Sequence, residues 1–220
     1  MKKVINWLVN FSRLSWYDRL NRLDARLAAL KTDLFYRHVF GSLGRGCKIF
    51  KPLLLTNPRF VFIGDGLLMR PGCRLQAVVA DPGAPPRLII GNNVNIEQHV
   101  HIVCSHRIVI GDNVTITGNC GIVDTVHPYR DVHLENKVGE RLDKTPTPVE
   151  IGDHTFVGFG SVILPNVRIG RNCVIGANST VTRDIPDYCV AAGTPAKILD
   201  RYDLKEQVWT RVNRAGAMDL

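Results

Sequence analysis

Among the 220 residues, the side chain best placed to do chemistry is His127, in the segment Ile122-Val123-Asp124-Thr125-Val126-His127-Pro128-Tyr129. Imidazole titrates near neutrality, so it can take a proton from a hydroxyl and pass it to a leaving group. Such a ring needs a partner to orient it, commonly a carboxylate. Asp124, three residues earlier, is the nearest, and Glu97 is a second. The same histidines admit another use, because His101 and His106, with His99 and His127 nearby, have the kind of spacing a three-histidine zinc site needs. No histidine lies between His38 and His99, however, and no metal is expected. Six cysteines, Cys47, Cys73, Cys104, Cys120, Cys173 and Cys189, lie far apart with no CxxC pair, which suits neither a disulfide framework nor a zinc ribbon.

The elements that must hold His127 are written in a period of six. Ile63, Met69 and Leu75 form one set; Ile90, Ile96, Ile102 and Ile110, Ile116, Ile122 follow. After a gap come Ile151, Val157, Ile163, Ile169, Ile175 and Val181. Glycine follows the aliphatic at Gly64, Gly91, Gly111, Gly152, Gly158, Gly170 and Gly176, and a small or medium residue stands four places after it, as at Val94, Cys120, Thr155 and Ser179. Neither the strand period of two nor the helical 3.6 produces this pattern. A triangular solenoid does: each group of six gives one short strand and one corner, and three groups close a coil of about 18 residues. The aliphatic residues fill the axis, and the glycines are expected to supply the sharp corner angles. Cys73, Cys120 and Cys173 occupy the small-residue position and are expected to be inert, packed thiols.

The breaks in the period carry information too. Ile90 and Ile110 are two residues further apart than one coil, which places a bulge near Ser105, His106 and Arg107. The segment 80–87 is a proline-rich excursion. Residues 128–150 are polar and aperiodic, so they leave the solenoid as an external loop, and His127 stands at its mouth. Residues 1–40 read as helical, with Trp7, Leu8, Phe11, Leu14, Leu20, Leu23, Leu27 and Leu30 on one stripe and Arg13, Arg19, Arg22 and Arg26 mostly between them. That stripe is expected to pack on the body or on a sister subunit; the alternative is an interfacial helix at a membrane surface, with Trp7 and Trp16 among basic residues. Residues 198–220 form a tail or short helix.

Composition bounds the partners. A net charge of +8 calls for an anionic ligand. The basic residues are dispersed rather than interleaved with aromatics, which argues against nucleic acid. No apolar run reaches the roughly 20 residues of a spanning helix. The first ten residues make a poor signal peptide, so a cytoplasmic protein is expected, with the inner face of the membrane as the site of any peripheral contact.

From Gly44 to about Lys197 the sequence resembles the hexapeptide-repeat acyltransferases, in particular the sugar O-acetyltransferases that act on maltose, galactosides, nodulation factors and surface polysaccharides. The resemblance rests on the repeats, on His127-Pro128, and on the run Ile175-Gly176-Ala177-Asn178-Ser179-Thr180-Val181-Thr182-Arg183-Asp184-Ile185-Pro186 leading into Gly193-Thr194-Pro195-Ala196-Lys197. It implies an all-β fold: a left-handed parallel β-helix over 44–197, preceded by the helical segment and followed by a short C-terminal helix. It implies acetyl transfer from acetyl-coenzyme A to a hydroxyl, or an amine, of a sugar or glycolipid, with His127 as base and the Phe159 amide beside Gly160 stabilising the oxyanion. Ala177, Thr182, Arg183 and Lys197 would then line the coenzyme path. Glu97 and Ser105 fall where relatives hold the acceptor with Asn and Asp, so the acceptor is expected to differ. A homotrimer with active sites between subunits is implied as well. The alternatives are a zinc protein resembling the γ-class carbonic anhydrases and a non-catalytic β-helix scaffold.

Overall fold

A computed structural model describes residues 14–212. Between Ser42 and Ala191 the chain winds repeatedly through three parallel sheets around a single core. The first face stacks the strands Ser42–Leu43, Val61–Ile63, Arg87–Ile90, Arg107–Ile110, Val149–Ile151 and Val167–Ile169. The second begins with Lys48–Ile49 and Leu68–Met69 and continues through Asn95–Ile96, Thr115–Ile116, Phe156–Val157 and Val174–Ile175 to Cys189–Gly193. The third holds Leu54–Thr56, Arg74–Ala77, His101–Cys104, Gly121–Val123, Val162–Ile163 and Thr180–Val181.

Register turns the six-residue period into three aliphatic ladders. On the first face Leu43, Ile63, Ile90, Ile110, Ile151 and Ile169 stand directly over one another. On the second, Ile49, Met69, Ile96, Ile116, Val157, Ile175 and Ala191 do so. The third aligns Leu55, Leu75, Ile102, Ile122, Ile163 and Val181. All but Leu55 are buried. Burial of such side chains stabilises by about 1.5–3 kcal/mol each, and stacked coils bury them in a continuous column.

The corners correct the expected role of glycine. Gly64, Gly91, Gly111, Gly152, Gly158, Gly170 and Gly176 are not in the left-handed region; the residues two places later are: Gly66, Asn93, Asn113, His154, Gly160, Asn172 and Asn178. Asparagine tolerates that conformation better than most side chains, so it shares the turning with glycine. The repeat glycines serve close stacking instead. A Cβ on Gly152 would lie 2.5 Å from the Arg171 nitrogen, and one on Gly158 would lie 2.6 Å from the Ala177 nitrogen. The positions four after the aliphatic also do more than leave room. Buried Thr155 donates to the Gly170 carbonyl at 2.9 Å and Ser161 to the Gly176 carbonyl at 2.9 Å, tying coil to coil.

All six cysteines are free and buried. Burial raises the Cys73 and Cys173 thiols to about 11, so both stay protonated at neutral pH.

The helix α1, Trp16–Leu34, starts at Ser15, whose hydroxyl accepts from the Asp18 amide at 3.1 Å. Its leucines do not pack on the body: Leu20, Leu23, Leu27, Leu30 and Leu34 are 43–68% exposed. Small side chains make the contact instead. Ala28 and Thr32 are buried, and the Thr32 hydroxyl accepts the Ile49 amide at 2.8 Å, which caps the first rung of the second face. Trp7, Leu8, Phe11 and Arg13 lie outside the described residues.

At the other end the expected C-terminal helix is absent among the described residues. The chain reverses at Thr194–Pro195, a cis peptide, and Ala196–Asp203 pairs antiparallel with Cys189–Gly193. Val208–Arg211 then adds a further antiparallel strand. The period of six stops here, and antiparallel pairing satisfies the last strand without another coil.

Candidate active site

His127 follows the third-face strand Gly121–Val123, at the point where the chain leaves the solenoid. Its ring is exposed, and Nδ1 lies 2.8 Å from the carbonyl oxygen of Arg141, across the loop. A carbonyl only accepts, so Nδ1 carries the hydrogen and Nε2 is left with its lone pair outward.

Arg141 is a residue that the sequence reading missed. Its guanidinium donates to the carbonyls of Asp131 at 2.8 Å, Leu134 at 2.7 Å and Asn136 at 2.8 Å, gathering the otherwise irregular loop around one side chain. Further bonds anchor the loop to the solenoid: the Asp143 amide to the Val126 carbonyl at 3.0 Å, and the Thr147 hydroxyl to the Asp124 carbonyl at 2.6 Å. Only the polar, aperiodic composition of 128–150 hinted at such a role, since an arginine in a loop has no spacing signature.

Asp124 is fully buried and turned to another task. Its carboxylate accepts from the Ser105 amide, the His106 amide at 2.9 Å and the Ser105 hydroxyl at 3.1 Å. It therefore fastens the two-residue bulge expected at Ser105–Arg107, and the orienting acceptor on His127 is a backbone carbonyl. Ser105 is buried with its hydroxyl on Asp124. Glu97 lies one coil corner away, its carboxylate 3.6 Å from Arg70. Neither Glu97 nor Ser105 lines the cleft beside His127.

That cleft has a volume of about 490 Å³ and lies between the third face and the loop. Arg74, Gln76, His101 and Thr125 line its solenoid side, and Glu140 joins His127 on the loop side. Strand alternation explains the wall, because Arg74, Gln76 and His101 are the outward members of strands whose inward members are Leu75, Ala77 and Ile102. Burial, and secondarily the Arg74 charge, hold the His101 imidazole below its ordinary pKa, so it is neutral at pH 7.

The residues assigned to the coenzyme fall in two places. Gly118, Phe159 and Ala177 stack at the corner that precedes the third face, where a Cβ on Gly118 would lie 3.3 Å from the Phe159 ring. Gly160 makes the left-handed turn of that corner, and Lys197 pairs in register with Ala192, whose Cβ lies beside Gly176. The Phe159 amide makes no hydrogen bond among the described residues, a property it shares with the matching corner amides of Gly118 and Ala177. Thr182 and Arg183 are exposed at the opposite edge of the third face, the edge on which His127 lies. One face thus separates His127 from Phe159 in a single chain, a span of about six residues and at most roughly 20 Å.

Among the described residues no three His, Cys, Asp or Glu side chains are grouped so as to hold a metal ion, so the arrangement gives the zinc alternative no support.

A family profile described as "Bacterial transferase hexapeptide (six repeats)" matches residues 148–183, and the three ladders extend the same repeat over the rest of the solenoid. Residues 148–183 therefore carry the repeat of the bacterial hexapeptide transferases. The chain is 42% identical over 110 residues to a galactoside O-acetyltransferase of Escherichia coli K12, covering 50% of this chain and 52% of that protein. The chain thus spans about half the length of that relative. It is 28% identical over 187 residues to WbbJ of the same organism, provisionally named as an O-acetyl transferase of lipopolysaccharide biosynthesis, covering 83% and 89%. Among solved structures, an N-acyltransferase of Bacillus cereus called AntD, in complex with dTDP and coenzyme A, superposes with a TM-score of 0.66 at 21% identity, over 79% of this chain and 91% of that one. At that identity the likeness is one of fold.

Proposed function

We propose that this hexapeptide-repeat protein transfers the acetyl group of acetyl-coenzyme A to a sugar hydroxyl, with His127 as general base. The observation that carries the reading is the exposed imidazole fixed through Nδ1 at 2.8 Å on the Arg141 carbonyl, with Nε2 free at the mouth of a sugar-sized cleft. The acceptor hydroxyl gives its proton to Nε2 as its oxygen bonds to the thioester carbonyl carbon. The oxyanion then collapses, the C–S bond breaks, and the departing thiolate takes the proton from the imidazolium. The products are an acetyl ester and free coenzyme A, with no covalent enzyme intermediate.

The Phe159 amide is the donor for the oxyanion, with Gly160 keeping the corner open. Ala177, Thr182 and Arg183 line the pantetheine and nucleotide path, and Lys197 meets a phosphate of the cofactor. The names of the two Escherichia coli relatives support O-acetyl transfer to a carbohydrate as the class of reaction. Cytoplasmic acetyl-coenzyme A as donor puts the reaction on the cytoplasmic side of the membrane.

Because His127 and Phe159 sit at opposite edges of one face, the site is assembled between subunits of a homotrimer, with the left-handed coil the family resemblance implies. No helix among the described residues is long and apolar enough to cross a membrane. The outward leucine face of α1, with Trp16 exposed at its start, is a surface for peripheral contact with a bilayer, which sedimentation with anionic vesicles tests; protein left in the supernatant at low salt counts against it.

The test of the reaction is thiol release from acetyl-coenzyme A in the presence of sugar acceptors. His127→Ala lowers turnover by roughly 10²- to 10⁴-fold while coenzyme binding persists. Unchanged turnover removes His127 from the mechanism.

A further inference from the structure

The cleft wall carries a cation that forms no ion pair among the described residues. Arg70, on the neighbouring corner, is paired with Glu97, and Arg107 and Arg168 share Glu150. Among the described residues Arg74 has no acidic partner, although it lines the cleft in register with His101. Its Nε is buried and makes no hydrogen bond, and so are His101 Nε2 and Thr125 Oγ1 on the same wall. Buried polar atoms are nearly always paired, so three orphans converging on one cleft mark a site completed by a group beyond the described residues.

The chemistry of the orphans says what fits. A guanidinium presents parallel N–H donors that match two oxygens of a carboxylate or a phosphate, and an unpaired one in a partly buried wall is most strongly satisfied by such an anion. His101, held neutral beside Arg74, adds a dipolar contact and no charge of its own. Gln76 and Glu140 line the same cleft and can accept from sugar hydroxyls. His127 shares the cleft, so an anion on Arg74 leaves the rest of the acceptor beside the imidazole.

Resting on the transferase reading above, we infer that the cleft is the acceptor subsite and selects a sugar bearing an anionic oxyacid group, a carboxylate or a phosphate, which Arg74 grips while His127 faces the hydroxyl. The acceptor is thus an acidic or phosphorylated sugar rather than a neutral glycoside.

The experiment measures kcat/KM by thiol release for matched acceptors: methyl glucuronoside against methyl glucoside for the carboxylate, and glucose 1-phosphate against methyl glucoside for the phosphate. The wild-type protein is expected to favour the charged member of at least one pair by roughly 10- to 100-fold. The favoured pair identifies the source of the anion. Arg74→Gln is expected to remove the preference, and Arg74→Lys, which keeps the charge and guards against misfolding as an explanation, to retain part of it. Acetyl-coenzyme A affinity, followed by titration, is expected to stay constant across all three proteins. No preference in either pair, or one that Arg74→Gln leaves intact, overturns the inference. Failure of the wild-type protein to bind acetyl-coenzyme A overturns the transferase reading instead, so the two failures are told apart.

Discussion

A single imidazole is useful as a base only if its tautomer is fixed, and here a main-chain carbonyl fixes it. The Arg141 carbonyl occupies Nδ1 of His127, and the Arg141 guanidinium secures the loop that presents that carbonyl. In the proposed mechanism Arg141 is therefore a positioning residue. Arg141→Ala is expected to lower kcat by roughly 10- to 100-fold while leaving the KM for acetyl-coenzyme A and the melting temperature of the solenoid close to wild type. Arg141→Lys does not rescue, because an ammonium cannot span three carbonyls as the planar fork does. A fall in melting temperature that tracks the fall in kcat assigns Arg141 to stability alone. Asp124 behaves in the opposite way. It is buried on the backbone of Ser105 and His106, so Asp124→Ala leaves the buried Ser105 amide and the half-buried His106 amide without an acceptor and costs about 2–4 kcal/mol of stability, read as a lowered denaturation midpoint.

The unit of construction is the coil, and its tolerance is set where coils touch. Gly152 lies against the backbone of Gly170 and Arg171, with room for hydrogen only. Gly152→Ala is expected to destabilise by about 1–3 kcal/mol, measured by denaturant unfolding, because backbone cannot move aside as a flexible side chain can. Gly139, in the external loop with no atom near its missing Cβ, is the control, and Gly139→Ala is expected to change stability little. Equal effects at both positions contradict the close-stacking account. At the prism's end, α1 follows a different logic. It docks through Ala28 and Thr32 and turns its leucines outward, the reverse of a helix that covers a core.

At the scale of the whole molecule, one chain holds the two halves of the proposed site at a distance from each other. His127 and Phe159 stand on opposite edges of the third face, so the proposed reaction needs a neighbouring subunit to bring a base and a thioester corner together. Light scattering on the purified protein is expected to give three times the 24.5 kDa chain mass. A monomer with full activity contradicts the shared site. The basic net charge of +8 suits both proposed anionic ligands, the phosphates of the coenzyme and an acidic acceptor.

The solenoid was legible in the sequence because its physics is local and repeated. A six-residue spacing of aliphatics such as Ile151, Val157 and Ile163 admits one way to bury every member, and the register follows from it. The bulge at Ser105–Arg107 was legible for the same reason, as a departure from a fixed count. The direction in which α1 turns its leucines was not, since a stripe of apolar residues says that a face will be covered without saying by what. Nor was the role of Arg141 or the cleft wall of Arg74, Gln76 and His101. Those depend on which strands lie side by side and where a loop folds back, and only tertiary contacts between residues far apart in the chain decide that.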